Sequence, residues 1–182
     1  MDVASGKLEC AEMSILVLNA GSSTLKFALF DQSASDELAD GVVDWQGRGE
    51  SATLSFRSPA TGDKKSTVKV ADYGEAASRI LDSLFDNGFD DLIEVVGHRV
   101  VHGGTEFSRT TLVDDQVCRS LQRISELAPL HNPPALTTIV AMRRALPDAT
   151  HVAVFDTGFF ANLPHRAAIY PVPYQWFEQY GI

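Results

Sequence analysis

Ile15-Leu16-Val17-Leu18-Asn19-Ala20-Gly21-Ser22-Ser23-Thr24-Leu25-Lys26-Phe27-Ala28-Leu29-Phe30 decides how this chain begins to fold. An apolar run ends at Asn19, a stretch of small residues turns the chain, and a second apolar run follows with a lysine near its start. Gly21 admits backbone conformations that a Cβ forbids, so the turn can be tight. Beyond it, Thr24, Lys26, Ala28 and Phe30 share one parity and Leu25, Phe27 and Leu29 the other, which is the period of a strand. The pattern predicts two strands joined by a Gly/Ser turn. That turn crowds hydroxyls, backbone N–H groups and one cation into a few residues, a donor set suited to a polyphosphate tail. The motif G-x-x-x-x-G-K-[ST] is absent and the segment after the turn reads as strand, so this is not a Walker A loop. The same residues also fit an ordinary hairpin with a hydrophilic turn.

Working outward, further strand-like runs occur at Gly41–Trp45, Ala52–Phe56 and Thr67–Val70, with Arg57 to Ser66 as an exposed turn. From Gly74 the period changes. Ala77, Ile80, Leu81, Leu84 and Phe85 fall at three- and four-residue steps, which predicts a helix over Glu75 to Asp86. Leu92 to Val101 returns to strand. Asp114 is placed to cap a helix carrying Val117, Leu121, Ile124 and Leu127 on one face. Asn132 is expected to cap the next helix, which opens on Pro133 and Pro134 and runs until Pro147. His151 to Phe155 reads as a short buried strand. Three strands, an extra hairpin and then α-β-α-α-β predict an α/β layer fold with a mixed sheet.

Bulk properties exclude several classes. The chain has 182 residues, 45% hydrophobic and 21% charged, ordinary values for a soluble globular protein. A net charge of −9 opposes non-specific attraction to nucleic acid or anionic membranes. Two cysteines, Cys10 and Cys118, make no disulfide framework, and the sequence has no Cys/His metal spacing. Residues 1–13 read as a flexible leader without an apolar signal core, and the expected location is the cytoplasm.

Three other segments carry residues capable of chemistry. In Gly97-His98-Arg99-Val100-Val101-His102-Gly103-Gly104, strand alternation puts Arg99 and Val101 on one face and His98, Val100 and His102 on the other. Arg99 can hold a small carboxylate through its planar fork, or it can serve a structural ion pair. His98 and His102 read as structural histidines. Leu127-Ala128-Pro129-Leu130-His131-Asn132-Pro133-Pro134 sets His131 just before a helix N-terminus, where anions are favoured, although a capping or packing role also fits. Val152-Ala153-Val154-Phe155-Asp156-Thr157-Gly158 puts a carboxylate at the end of a strand, where α/β sheets place ligand chemistry. Asp156 also fits a simple turn before Gly158.

Together, N-A-G-S-S-T-L-K, G-H-R-V-V-H-G-G, L-A-P-L-H-N-P-P and V-A-V-F-D-T resemble, in order and spacing, the N-terminal half of the acetate kinase family, within the superfamily of acetate and sugar kinases and actin-like ATPases. The resemblance implies an actin-like (ribonuclease H-like) domain over 14–164, with 165–182 opening an inter-domain segment and the family's second domain not included. It implies ATP + acetate ⇌ ADP + acetyl phosphate with Mg²⁺. By that resemblance Asn19 is the magnesium-associated residue, and Ser22, Thr24 and Lys26 contact phosphate and nucleotide. Arg99 then binds the substrate carboxylate, Val101 and Leu130 wall its pocket, and His131 and Asp156 are catalytic. Thr24 replaces a usual serine, and Gly158-Phe159-Phe160 stands where the family has Ala-Phe-His. The family is about twice this length, so the chain is expected to be a fragment inactive alone, with the full-length protein a homodimer. A propionate or other short-chain carboxylate kinase is an alternative. A non-catalytic assembly module is another, motivated by Tyr170, Tyr174, Trp176, Phe177 and Tyr180.

Overall fold

The computed structural model describes residues 13–45, 51–89 and 93–180. The leader, apart from Met13, lies outside the described residues. Among the described residues eight strands form one sheet: β1 (Ser14–Ala20), β2 (Thr24–Asp31), β3 (Glu37–Asp44), β4 (Ser51–Arg57), β5 (Lys64–Lys69), β6 (Ile93–Val100), β7 (Thr111–Leu112) and β8 (Thr150–Phe155). Their order across the sheet is β5-β4-β3-β2-β1-β6-β8-β7. The meander β1 to β5 is antiparallel throughout, whereas β1, β6 and β8 run parallel. This is the mixed α/β sheet that the strand and helix periods predict. β7 was not legible in advance: two residues are too few to show alternation, and the strand exists because Thr111 and Leu112 pair with Ala153 and Val152.

Three helices cover one face: α1 (Tyr73–Phe85), α2 (Asp115–Ile124) and α3 (Asn132–Ala145). The Asp72 side chain caps α1 by accepting from the Glu75 N–H at 2.9 Å, and Glu75 returns a carboxylate to the Ala71 N–H at 2.7 Å. Two of the orphan donors at that end are thereby satisfied. Asp114 caps α2 as expected, accepting from the Val117 N–H at 2.7 Å. α3 departs from expectation. Its cap position is His131, and Asn132 is the first helical residue, fully buried. Asn132 is drawn inward because its amide has a partner elsewhere, described below. Two short helices, α4 (His165–Ala168) and α5 (Tyr174–Tyr180), follow β8 and bury no residue of their own.

Burial alternates along the central strands. Leu16, Leu18, Leu25, Leu29 and Val96 point under the helices with Ile80, Leu84 and Met142. A second cluster joins Val100, Ala153 and Phe155 to Leu121, Ile124 and Ile139 beneath α2 and α3. Each fully buried side chain of this size contributes about 1.5–3 kcal/mol. The opposite face stays open, with Val17, Lys26, Arg99 and Val154 exposed on it. The strand at 150–155 is therefore only half buried, not buried throughout as its apolar run implied: Val154 is 47% exposed. No helix among the described residues is long and apolar enough to cross a membrane.

Candidate functional site

The open face ends, at the C-terminal edge of the parallel strands, in a group of three polar side chains from three strand ends. Asn19 lies one residue before the end of β1, Arg99 one residue before the end of β6, and Asp156 follows β8. The Arg99 guanidinium holds the other two together. Its Nε donates to Asp156 Oδ1 at 2.9 Å, Nη2 donates to Oδ2 at 2.6 Å, and Nη1 donates to Asn19 Oδ1 at 2.9 Å. The fork on Asp156 is bidentate, the geometry for which arginine is suited. The bond to Asp156 raises the Arg99 pKa above its ordinary value, against a smaller opposing effect of burial. Three of the five guanidinium N–H groups are used, which leaves two.

Lys26 belongs to the same row. It pairs with Asn19 across the antiparallel β1–β2 ladder, so both side chains rise from the open face. Among the described residues Lys26 has no ion-pair partner. The turn beside it is built tightly: the Gly21 N–H donates to the Thr24 carbonyl at 2.8 Å, and the Trp45 N–H donates to the Ser23 carbonyl at 3.2 Å. A Cβ on Gly21 would stand 2.7 Å from Thr24 Oγ1, so a larger residue there would displace the Thr24 hydroxyl. The backbone N–H groups of Ser22 and Ser23 donate to no other described group. The turn's free N–H groups and hydroxyls thus lie two to four residues before Lys26 in the chain, at the start of the strand that carries it.

The remaining candidates lie outside the hydrogen-bonded group. Val101 lies just past β6 and is partly buried; Leu130 is exposed, and His131 is exposed at the cap position of α3. None of them bonds to Asn19, Arg99 or Asp156. His98 and His102 are structural, as expected. His98 is buried on the helix side with its Nε2 3.1 Å from His151 Nδ1, and His102 Nδ1 accepts from the Gly104 N–H at 2.9 Å.

Sequence reading missed the residues that hold this edge in place. Asn132 clamps the backbone of His102 from both sides: its Nδ2 donates to the His102 carbonyl at 2.9 Å, and its Oδ1 accepts from the His102 N–H at 3.2 Å. The clamp fastens the start of α3, and with it His131, to the chain three residues beyond Arg99. Thr157 Oγ1 accepts from the Gly103 N–H at 3.0 Å and joins the Asp156 turn to the same loop. Gly103 is pressed so closely there that a Cβ would meet the Phe107 carbonyl oxygen at 2.1 Å. Tyr73, the first residue of α1, donates its hydroxyl to the Gly21 carbonyl and packs edge-on against Trp45 at 4.8 Å. Tyr73→Phe is expected to lower stability by about 1 kcal/mol, the net value of one such bond, measured by urea denaturation. A change too small to detect would show that the turn does not depend on this brace.

The fold and this edge define an α/β domain that presents a tight Gly/Ser turn and an arginine–aspartate pair at the ends of parallel strands. The Acetokinase family profile matches residues 14–182, and the chain belongs to that family. The chain is 39% identical over 175 residues to an acetate kinase of Halothermothrix orenii, covering 93% of this chain and 44% of that one. It is 42% identical over 173 residues to an acetate kinase of Oceanobacillus iheyensis, covering 93% and 43%. Among solved structures it resembles a propionate kinase from Francisella tularensis, with a TM-score of 0.83, 32% identity and coverage of 93% and 44%. It also resembles Porphyromonas gingivalis acetate kinase, with a TM-score of 0.81, 32% identity and the same coverage. The chain therefore spans less than half the length of these relatives.

Proposed function

We propose that this chain supplies the phosphate-side and acceptor-side residues of a carboxylate kinase catalysing ATP + acetate ⇌ ADP + acetyl phosphate with Mg²⁺. The observation that carries the reading is the gathering of Asn19, Arg99 and Asp156 by three hydrogen bonds, in one row with Lys26 and its turn. In this reading Lys26, Ser22, Thr24 and the Ser22 and Ser23 N–H groups hold phosphate oxygens. The two unspent N–H groups of Arg99 face the acceptor carboxylate, with Val101 and Leu130 beside its methyl group. His131, at the N-terminus of α3, adds a donor where helix geometry favours anions.

Asp156 is not asked for strong base chemistry. A small carboxylic acid has a pKa of about 4–5, so the nucleophile is already ionised at neutral pH. In-line phosphoryl transfer then needs positioning and charge neutralisation. Asn19 Oδ1 and the Asp156 carboxylate are hard oxygen donors brought together by one guanidinium, a donor set that fits Mg²⁺, which is usually held by one or two protein oxygens together with phosphates and water. Held there, the ion would supply neutralisation of phosphate charge, with Asp156 orienting the acceptor side.

The name of the Francisella tularensis neighbour supports propionate as the alternative acceptor, and one methylene changes discrimination by only about 1–3 kcal/mol. The division into a kinase domain over 14–164 and a following segment from 165, a homodimeric whole protein and a cytoplasmic location belong to the same proposal. The test is an acetyl phosphate assay on the chain alone and on the chain mixed with a complementary C-terminal half. Turnover only in the mixture is expected; robust turnover by the chain alone would contradict the reading.

A further inference from the structure

At the end of α3 opposite His131, the structure holds a second cluster of cations. Asp115, at the start of α2, meets Arg143 in the last turn of α3, so the two helices run in opposite senses. Between them lies a cavity of about 420 Å³ lined by Asp115, Cys118, Arg119, Val140, Arg143 and Arg144. α3 has 14 residues. At a rise of 1.5 Å per residue its two ends stand about 20 Å apart, so the cavity is separate from the site already described.

Three arginines and one aspartate line this hollow, in a chain whose net charge is −9. Asp115 is taken up by Arg143, whose Nη1 donates to Oδ1 at 2.9 Å and also lies 3.6 Å from Cys118 Sγ. That double tie fixes Arg143 in place. Arg119 and Arg144 have no hydrogen-bond or ion-pair partner among the described residues. Complementing the dipole at a helix C-terminus accounts for Arg143 and Arg144. It does not account for Arg119, which lies in the middle of α2. Arg143 also lines an adjoining cavity of about 390 Å³ that includes Leu112, Val113 and Pro147. The Arg143 guanidinium thus joins an arginine-lined hollow to one of mixed lining, where Leu112, Val113 and Pro147 stand beside Thr150 and His151. Both are surface hollows open to solvent, with room for a small molecule held at its charged end.

We propose that the α2–α3 groove binds a small organic oxyanion carrying two or more negative charges. Its charged groups bridge Arg119, Arg143 and Arg144, and its carbon body extends toward Leu112 and Val113. Arginine forks accept phosphate and carboxylate groups alike, so the shared chemistry is a multivalent oxyanion.

Cys118, in the wall of the cavity, provides the readout. The chain is treated with N-ethylmaleimide at low ionic strength, and modification of Cys118 is followed by peptide mass spectrometry, with Cys10 reporting general effects. Pyrophosphate and citrate are the two probes. The expected result is that one or both slow Cys118 alkylation by about tenfold once present at roughly ten times their Kd. Slowing by pyrophosphate alone assigns a phosphorylated ligand; slowing by citrate alone assigns a polycarboxylate; slowing by both assigns recognition by charge. The Arg119→Gln/Arg144→Gln double variant, which leaves the Arg143–Asp115 pair intact, is expected to abolish the protection, and Arg119→Gln alone to weaken it. Lys26→Ala is expected to keep it, which separates this groove from the phosphate turn. Absence of protection by either anion, or equal protection in the double variant, overturns the proposal.

Discussion

Arg99→Ala, in the chain assembled with a complementary C-terminal half, is expected to lower kcat/KM for acetate by about 10- to 150-fold. That range corresponds to losing about 1.5–3 kcal/mol, the net contribution of one hydrogen bond to a charged group. The same substitution removes the tether on Asp156 and Asn19, and an unpaired carboxylate beside incoming phosphates repels them. Both kcat and KM are therefore expected to move. Arg99→Lys keeps the charge but loses the fork, so it is expected to recover only a small part of the activity. Steady-state kinetics with varied acetate checks this. If Arg99→Lys performs like the unmodified chain, Arg99 is a point charge and not a geometric guide, and the proposed acceptor site is wrong.

The second large effect concerns acid stability. The His151 Nε2 lies 3.0 Å from the Leu146 carbonyl oxygen, which can only accept, so Nε2 carries the proton and Nδ1 is bare. His98 must then donate from its own Nε2 to that nitrogen. This leaves His98 Nδ1 as a buried acceptor without a partner. Burial first, and then the neighbouring His151, pushes the His98 pKa down from its ordinary value to about 3, and burial also lowers that of His151. With the folded value depressed, the unfolded chain binds protons first as the pH falls. The stabilisation is complete above about pH 6.5 and is lost progressively on acidification toward pH 3. By pH 4 the loss from His98 alone is on the order of 3 kcal/mol. Urea denaturation at pH 7 and pH 4 measures it, with His98→Gln as the non-titrating comparison. The unmodified chain is expected to lose more stability than the variant over that interval, by roughly this amount. Equal losses would mean that the histidine pair does not govern acid sensitivity.

Local pattern carried much of this fold into the sequence. Strand alternation in Ile15 to Phe30, the helical steps of Ala77 to Phe85 and the cap at Asp114 are decided within a few residues, and each appears in the structure. What stayed hidden depends on partners far along the chain. Asn132 looked like a cap because its neighbours resemble one, yet its amide is claimed by His102, 30 residues earlier. Tyr73 lies 52 residues from Gly21, and His98 lies 53 from His151. β7 exists only through its pairing with β8. The candidate site shows the same division. Asn19, Lys26, Arg99 and Asp156 were visible as residue types at strand ends, and the structure joins Asn19, Arg99 and Asp156 by hydrogen bonds with Lys26 in the same row. His131, Val101 and Leu130 make no hydrogen bond to the group.

Because Arg99 and Asp156 neutralise each other, Lys26 is the unpaired cation of this row on the open face, on a chain whose long-range field is negative. Anionic ligands are therefore repelled at a distance and attracted only on arrival. Added salt, with a screening length of about 10 Å at 0.1 M, should speed their capture by damping the distant repulsion while loosening the final grip.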